Sequence, residues 1–174
     1  MTSCGPGALI LNSHARARVV RHREGEERRR PRRARCAACR ATHVLLAEDT
    51  LLRRRDGVEV IGAALAAKAR GQGQRRSAAA LGVHVSTVRN WLRRFASAAD
   101  AVRVFFTAWA HRLDPGLGPL APAGGSFADA VEAVAVAARA AVQRFGLRPP
   151  WHFASAASGG RLLSNTSWFY PAVG

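Results

Sequence analysis

The chain is short of acid. Eleven Asp and Glu stand against 27 Lys and Arg in 174 residues, a formal net charge of +16, and every base except Lys68 is arginine. A GC-rich coding bias, which also raises alanine, accounts for arginine over lysine. It does not account for the imbalance, which suits a polyanionic partner, nucleic acid before membrane. Cysteine is scarce too. Three residues, two of them in Cys36-Ala-Ala-Cys39, fit a reducing compartment better than a disulfide framework. No apolar run approaches the roughly 18 residues of a membrane span, and the N-terminus lacks the charged-then-apolar plan of a signal peptide. The expected location is the cytoplasm, on the nucleoid.

The same scarcity weighs against an enzyme. Beyond residue 59 only Asp100, Asp114, Asp129 and Glu132 remain, on predicted helices or in a Pro-Gly loop. Two-metal transposase chemistry needs three carboxylates held by a sheet, and nothing here reads as one. There is no P-loop and no G-x-S-x-G. No catalytic residue is expected.

What the chain does have is concentrated in Gln74 to Phe95, QRRSAAALGVHVSTVRNWLRRF. Ala78 is small where one helix crosses closely over the next. Gly82, four residues on, suits a tight turn that needs a positive φ. Val88, Trp91, Leu92 and Phe95 recur at three- and four-residue spacing and form one apolar stripe, flanked by Leu81 and Val83. Ser86, Arg89, Asn90 and Arg93 fall on the opposite face. A docking face plus a free basic face is the pattern of a helix-turn-helix, whose second helix enters the major groove. A plain helical hairpin is the bland alternative, but small residue, turn Gly, stripe and basic face all agree. Two positions depart from the usual pattern. Ser77 stands where an aliphatic residue is usual, and His84 where Ser or Asp would cap the helix.

Side-chain chemistry assigns roles within this motif. Arg89 suits guanine O6 and N7, and Asn90 suits adenine N6 and N7. Val85 and Ser86 lie near the helix N-terminus, where base edges are met. Arg93 can read a base or a phosphate, and Arg94 is a phosphate candidate. Arg75 and Arg76 open the first helix, where backbone N–H groups and positive charge can hold a phosphate. His84 reads as a cap or a phosphate contact. For each arginine the bland alternative is a solvated surface charge.

Upstream, Asp56-Gly57-Val58-Glu59 reads as a capping box with Asp at the N-cap, opening a helix that Gly71 ends. Val58, Ile61, Leu65 and the stem of Lys68 are expected against Leu81, Val88 and Leu92, completing a three-helix core. Residues 1 to about 46 look like strands and turns. Ala17 to His22 is β-compatible, Glu24-Gly25-Glu26 is a turn, Arg28 to Arg35 is a basic run broken by Pro31, and Thr42 to Leu46 is a strand candidate. That basic run is a second candidate surface for tracking a phosphate backbone. Glu48 to Arg55 reads as a charged connector.

Strand, turn, strand, CxxC, strand is the layout of a small zinc ribbon, which takes four ligands. Cys36, Cys39 and Cys4 supply three. The fourth is an upstream Cys if the true start precedes Met1, or a histidine such as His14, His22 or His43. The remaining alternatives are a decayed site and two chance buried thiols. Downstream of the motif, Val102, Phe105, Phe106, Trp109 and Leu113 stripe a helix from about 101 to 112. A Pro-Gly loop follows. A second helix from Ser126 to Phe145, with Asp129 near its N-terminus, is apolar on most faces, so it is buried or paired with another chain. The expectation is a helical hairpin, with homodimerisation through these helices as a supplement.

These residues suggest a family. Arg28 to Phe95 resembles a group of bacterial proteins from high-GC genomes. They pair an N-terminal CxxC zinc-ribbon-like region with a helix-turn-helix similar to those at the N-termini of insertion-sequence transposases. The matching pieces are RPRRARCAACRATHVLL, AAALGVHVSTVRNWLRRF and the C-terminal GGRLLSNTS. The resemblance implies DNA binding and a mobile-element origin, with no established biochemical activity.

The expected architecture is mainly α. A Cys-containing β region spans residues 1–47, a helix-turn-helix domain 56–96, a C-terminal helical hairpin 97–147, and a loosely attached tail 148–174. The expected role is a non-enzymatic binder of double-stranded DNA, transposon-associated or regulatory. The alternatives are the DNA-recognition part of a transposase whose catalytic portion is encoded elsewhere, and a protein-binding adaptor.

Overall fold

The computed structural model of the protein describes residues 9–164. Cys4 and the Trp168-Phe169-Tyr170-Pro171 segment lie outside them.

The N-terminal part is two small sheets. Strands β1 (Leu9–His14), β4 (Arg32–Cys36) and β5 (Thr42–Val44) form an antiparallel sheet in the order β1-β4-β5, and β2 (Arg18–Arg21) pairs with β3 (Glu26–Arg29) in a hairpin. The hairpin turns where expected, with the His22 N–H donating to the Gly25 carbonyl at 2.8 Å. Pro31 separates β3 from β4, and its carbonyl accepts from Ala15 N–H at 2.7 Å. Strand β1 is an element that sequence reading does not single out. Its Leu-Ile-Leu run has no inside–outside alternation, and all six residues are exposed.

Ion pairs tie the hairpin to the helical part. Asp56 is buried, and its Oδ1 forms an ion pair with Arg21 Nη2 at 2.7 Å. Arg29 hydrogen-bonds Glu27 on one side and Asp49 on the other, the latter at 2.6 Å. Arg18 reaches the buried Thr50 hydroxyl at 3.1 Å. This corrects the capping box. The N-cap of α1 (Val58–Ala69) is Gly57 and no side chain caps it, because the Asp56 carboxylate is turned to Arg21 instead.

The next two helices are α2 (Gln74–Leu81) and α3 (Val85–Ala96). Gly71 closes α1 as expected: Gln72 N–H bonds Ala67 O and Gly71 N–H bonds Lys68 O, both at 2.9 Å, so carbonyls of the last turn are satisfied. Val58, Ile61 and Leu65 join Val88 and Leu92 in the core, with Leu81 partly buried against it. Lys68, in contrast, is exposed. Buried Ser77 is accommodated because its hydroxyl donates to the Gly73 carbonyl at 3.3 Å.

Helices α4 (Ala99–Leu113) and α5 (Ser126–Phe145) are not a hairpin. Arg103 lies 3.2 Å from Asp129, and Arg144 donates to the Leu113 carbonyl at 2.9 Å. Advancing from Arg103 to Leu113 along α4 therefore means advancing from Asp129 to Arg144 along α5. The two helices run parallel, and residues 114–125 return across them. A tight helical hairpin uses a loop of about 2–5 residues. The Pro-Gly segment is longer, and extended chain of that length can span the roughly 22 Å that α4's 15 residues climb. Leu117 and Leu120 pin the crossing to the core. Helix α5 packs against α1, α3, α4 and α6, which buries Ala130, Ala133, Val134, Ala137, Ala138 and Ala141 within the chain.

The described part of the tail, up to residue 164, is packed rather than loose. Pro149-Pro150 does not detach the chain; Pro150 opens α6 (Pro150–Ala157), which fits proline's preference for a first helical turn. Phe153, Ala154, Leu162 and Leu163 are buried. Trp151 lies directly over Gly62 of α1, its ring atoms 2.2 Å from where a Cβ would stand.

Two expectations follow. Gly62→Ala should force Trp151 off α1 and cost about 1–3 kcal/mol, read as a lower denaturation midpoint; an unchanged midpoint would mean that α6 is not docked there. The second concerns pH. Burial raises the Asp49 carboxyl, but the hydrogen bond and charge of Arg29 outweigh it and hold Asp49 below its ordinary value. The Arg29 hydrogen bond also lowers exposed Glu27. A depressed carboxylate gives stability that is fully present above its unfolded pKa of about 4 and is lost as pH falls through the folded value. Arg29→Gln should therefore lower Tm at pH 7 and converge on the wild type in acid. A Tm difference independent of pH would contradict the ion-pair account.

Candidate nucleic-acid interface

The geometry of α2–turn–α3 follows from a few residues. Gly82 takes φ +62°, and Val83 N–H and Gly82 N–H close on Ala78 O and Ala79 O at 3.1 and 3.3 Å. The chain thus reverses within three residues, and α3 starts at Val85. Ala78 is buried where the helices cross. Val88, Trp91, Leu92 and Phe95 are all buried, and Phe95 meets Phe127 of α5 with ring centroids 4.9 Å apart. With that stripe seated, the other face of α3 must point outward.

The N-terminus of α3 is capped by an unexpected residue type. His84 Nδ1 accepts from the Ser86 backbone N–H at 3.3 Å and lies 2.7 Å from the Ser86 hydroxyl. Since Nδ1 accepts the amide, this arrangement assigns it as the unprotonated nitrogen, and the hydroxyl donates to it as well. The imidazole takes the place of a Ser or Asp cap.

Arg89, Asn90 and Arg93 are exposed, and Ser86 is half-buried beside them on the same outer face. Arg93 Nη2 donates to Asn90 Oδ1 at 3.4 Å, a one-turn contact between the two groups. Arg75 and Arg76 are exposed on the first turn of α2, which carries no acid. Val85 is different: it is half-buried and packs against the core, so its role is to seat the helix start. Arg94 is half-buried on the flank of α3, close enough to Arg54 for their charges to interact.

The electrostatics of this region are set by what is missing. Between Glu59 and Asp100 there is no acid, while Lys68, Arg70, Arg75, Arg76, Arg89, Arg93 and Arg94 are all cationic. Elsewhere the acids are largely paired with bases, as in Arg55–Glu26, Arg148–Glu48, Arg103–Asp129 and Arg139–Glu132. Positive charge thus predominates around α2 and α3.

The cysteines form a smaller structural unit. Cys36 ends β4, buried, and Cys39 lies exposed in the turn to β5. That turn is closed by Cys36 N–H to Ala41 O at 2.9 Å and Arg40 N–H to Cys36 O at 3.0 Å, with Arg40 at φ +63°. Among the described residues no metal-ligating group brings His14, His22 or His43 to these thiols. The described residues therefore offer two of a zinc site's four ligands. One group of three potential ligands does exist, His22, Glu27 and Asp49. It escapes sequence reading because Asp49 is far from the other two in the chain. The Arg29 guanidinium already bridges its two carboxylates, so the cluster is charge-satisfied as it stands.

Of the basic run, Arg28, Arg30, Arg32, Arg33 and Arg35 are exposed, whereas Arg29 is turned into the ion-pair junction.

Residues 58–103 match the family model of a homeodomain-like domain, a span that covers α1, α2, α3 and the start of α4. No curated protein and no solved structure matches the chain. A homeodomain-like helix-turn-helix is an architecture whose last helix reads the major groove, and its presence here suggests DNA binding.

Proposed function

We propose that this chain is a sequence-specific binder of double-stranded DNA that lays α3 in the major groove and acts at transposon ends or regulatory sites, with no catalytic step of its own. The observation that carries this reading is the outer face of α3. It holds Ser86, Arg89, Asn90 and Arg93 on a helix whose other face is buried, inside a stretch of about forty residues free of acid. Base edges need donors and acceptors in fixed positions, and a helix anchored through Trp91 and Phe95 provides them. Arg75 and Arg76, on the first turn of α2, supply phosphate contacts that set register without reading sequence. Carboxylates held in arginine pairs are poor candidates for two-metal catalysis, which supports a non-enzymatic role. A chromosomal partner would place the protein in the cytoplasm, on the nucleoid.

Zinc belongs to the same proposal. The closed Cys36–Cys39 turn at the end of the β1-β4-β5 sheet supports a metal held there together with Cys4. Zinc would add cross-links that so small a β region otherwise lacks.

Three outcomes are expected. Arg89→Ala and Asn90→Ala should each cost about 1–3 kcal/mol on the preferred duplex and relax preference at one position; unchanged preference in both would mean that this face does not read DNA. His84→Ala should lower stability by about 1 kcal/mol through loss of the cap, with a matching fall in Tm; no change would show the cap to be idle. Chelator should lower the melting midpoint of the N-terminal region, and an unaltered curve would remove zinc from the proposal.

A further inference from the structure

The first turn of α3 commits a hydrogen-bond donor internally. His84 Nδ1 accepts from the Ser86 backbone N–H at 3.3 Å, and the Ser86 hydroxyl lies 2.7 Å from the same nitrogen. A ring nitrogen that accepts an amide N–H carries no proton, so the proton of the neutral imidazole is on Nε2. The hydroxyl is then the donor of the 2.7 Å contact. A serine hydroxyl has one O–H and two lone pairs. With its O–H held by His84, Ser86 Oγ has only lone pairs left for a second partner.

The position of Ser86 gives this arrangement a consequence. Ser86 is the second residue of α3, after Val85, on the outer face that also carries Arg89 and Asn90. The N-terminal residues of a recognition helix are the ones that contact base edges. Ser86 is partly exposed and His84 is exposed, so both reach the surface there. An unconstrained serine is an ambiguous reader, because its hydroxyl can donate or accept. In the major groove adenine N6 and cytosine N4 donate, whereas guanine O6 and thymine O4 accept. An oxygen restricted to accepting tells these two groups apart. To serve guanine or thymine, the hydroxyl would have to turn away from His84 and lose that hydrogen bond.

We propose that the His84–Ser86 pair makes Ser86 an acceptor-only reader, selecting a base with a major-groove amino group, adenine or cytosine, on the strand it touches. His84 is the positioning residue: it caps α3 and orients the hydroxyl with the same nitrogen. This rests on the DNA-binding reading of α3 and adds the kind of base that one of its residues prefers.

The test uses the full chain and the duplex motif it selects from a random library. Ser86→Ala identifies the position concerned, as the one at which preference among base pairs is lost. There the wild type should bind adenine and cytosine, on the same strand, within about twofold of each other. A transition, adenine to guanine or cytosine to thymine, replaces the amino group by a carbonyl and should weaken binding about fivefold. His84→Gly frees the hydroxyl and costs the helix start little, so the transition penalty should vanish while preference elsewhere in the motif stays. His84→Asn supplies an amide oxygen able to accept from both the Ser86 N–H and its hydroxyl, so the penalty should return. The proposal is overturned if Ser86→Ala leaves preference intact at every position, or if the position separates purine from pyrimidine rather than amino from carbonyl. It is equally overturned if His84→Gly keeps the transition penalty, since the imidazole would then serve the cap alone. A wild type that enriches no motif overturns the DNA-binding reading itself and this assignment with it.

Discussion

The interaction on which the rest depends is the seating of α3 by Val88, Trp91, Leu92 and Phe95. All four are buried, and the Phe95–Phe127 contact ties the helix to α5 as well as to its own three-helix unit. The rotation of α3 about its axis is thereby determined, and with it the set of side chains that face outward. A recognition helix works through geometry: a bidentate pair to a base edge fails if the helix turns by a fraction of a residue. The Gly82 turn and the His84 cap settle where α3 begins. The core settles how it is rotated.

Around this unit the structure adds support in two forms. Helices α4 and α5 extend the apolar core and run parallel, joined by the 114–125 crossing. Helix α6 closes over α1 through Trp151 on Gly62. The N-terminal hairpin is attached by charge instead: Arg21–Asp56 and Arg29–Glu27/Asp49 join it to the connector. Glu27, Asp49 and Asp56 are thus gathered at this junction. The stretch that forms α2 and α3 contains no acid at all, so the surface there stays cationic.

The helix-turn-helix was legible because its signals are local. A small residue, a turn glycine and a 3–4 stripe all fall within Gln74 to Phe95, and the homeodomain-like match covers the same region. The roles of Ser77 and His84 are half legible: each departs from the usual pattern, and each is resolved by a hydrogen bond that depends on the fold. What escaped was long-range. Asp56 has the spacing of a cap but serves Arg21. The 101–112 and 126–145 stripes identify two helices, yet their relative direction depends on where a loop travels, which periodicity does not encode. The Glu48–Arg55 stretch reads as a mere connector, yet Arg54 reaches the Leu163 carbonyl and Leu52 pairs with Gly160. Phe153, Ala154, Leu162 and Leu163 follow no strong period, so their burial is not legible in the sequence.

The most direct test of the central claim is selection of bound sequences from a random duplex library, at low and at near-physiological salt. The account predicts an enriched motif that survives the higher salt, because α3 reads base edges as well as phosphates. Binding without enrichment that disappears as salt rises would contradict it, leaving only a polycation on a polyanion.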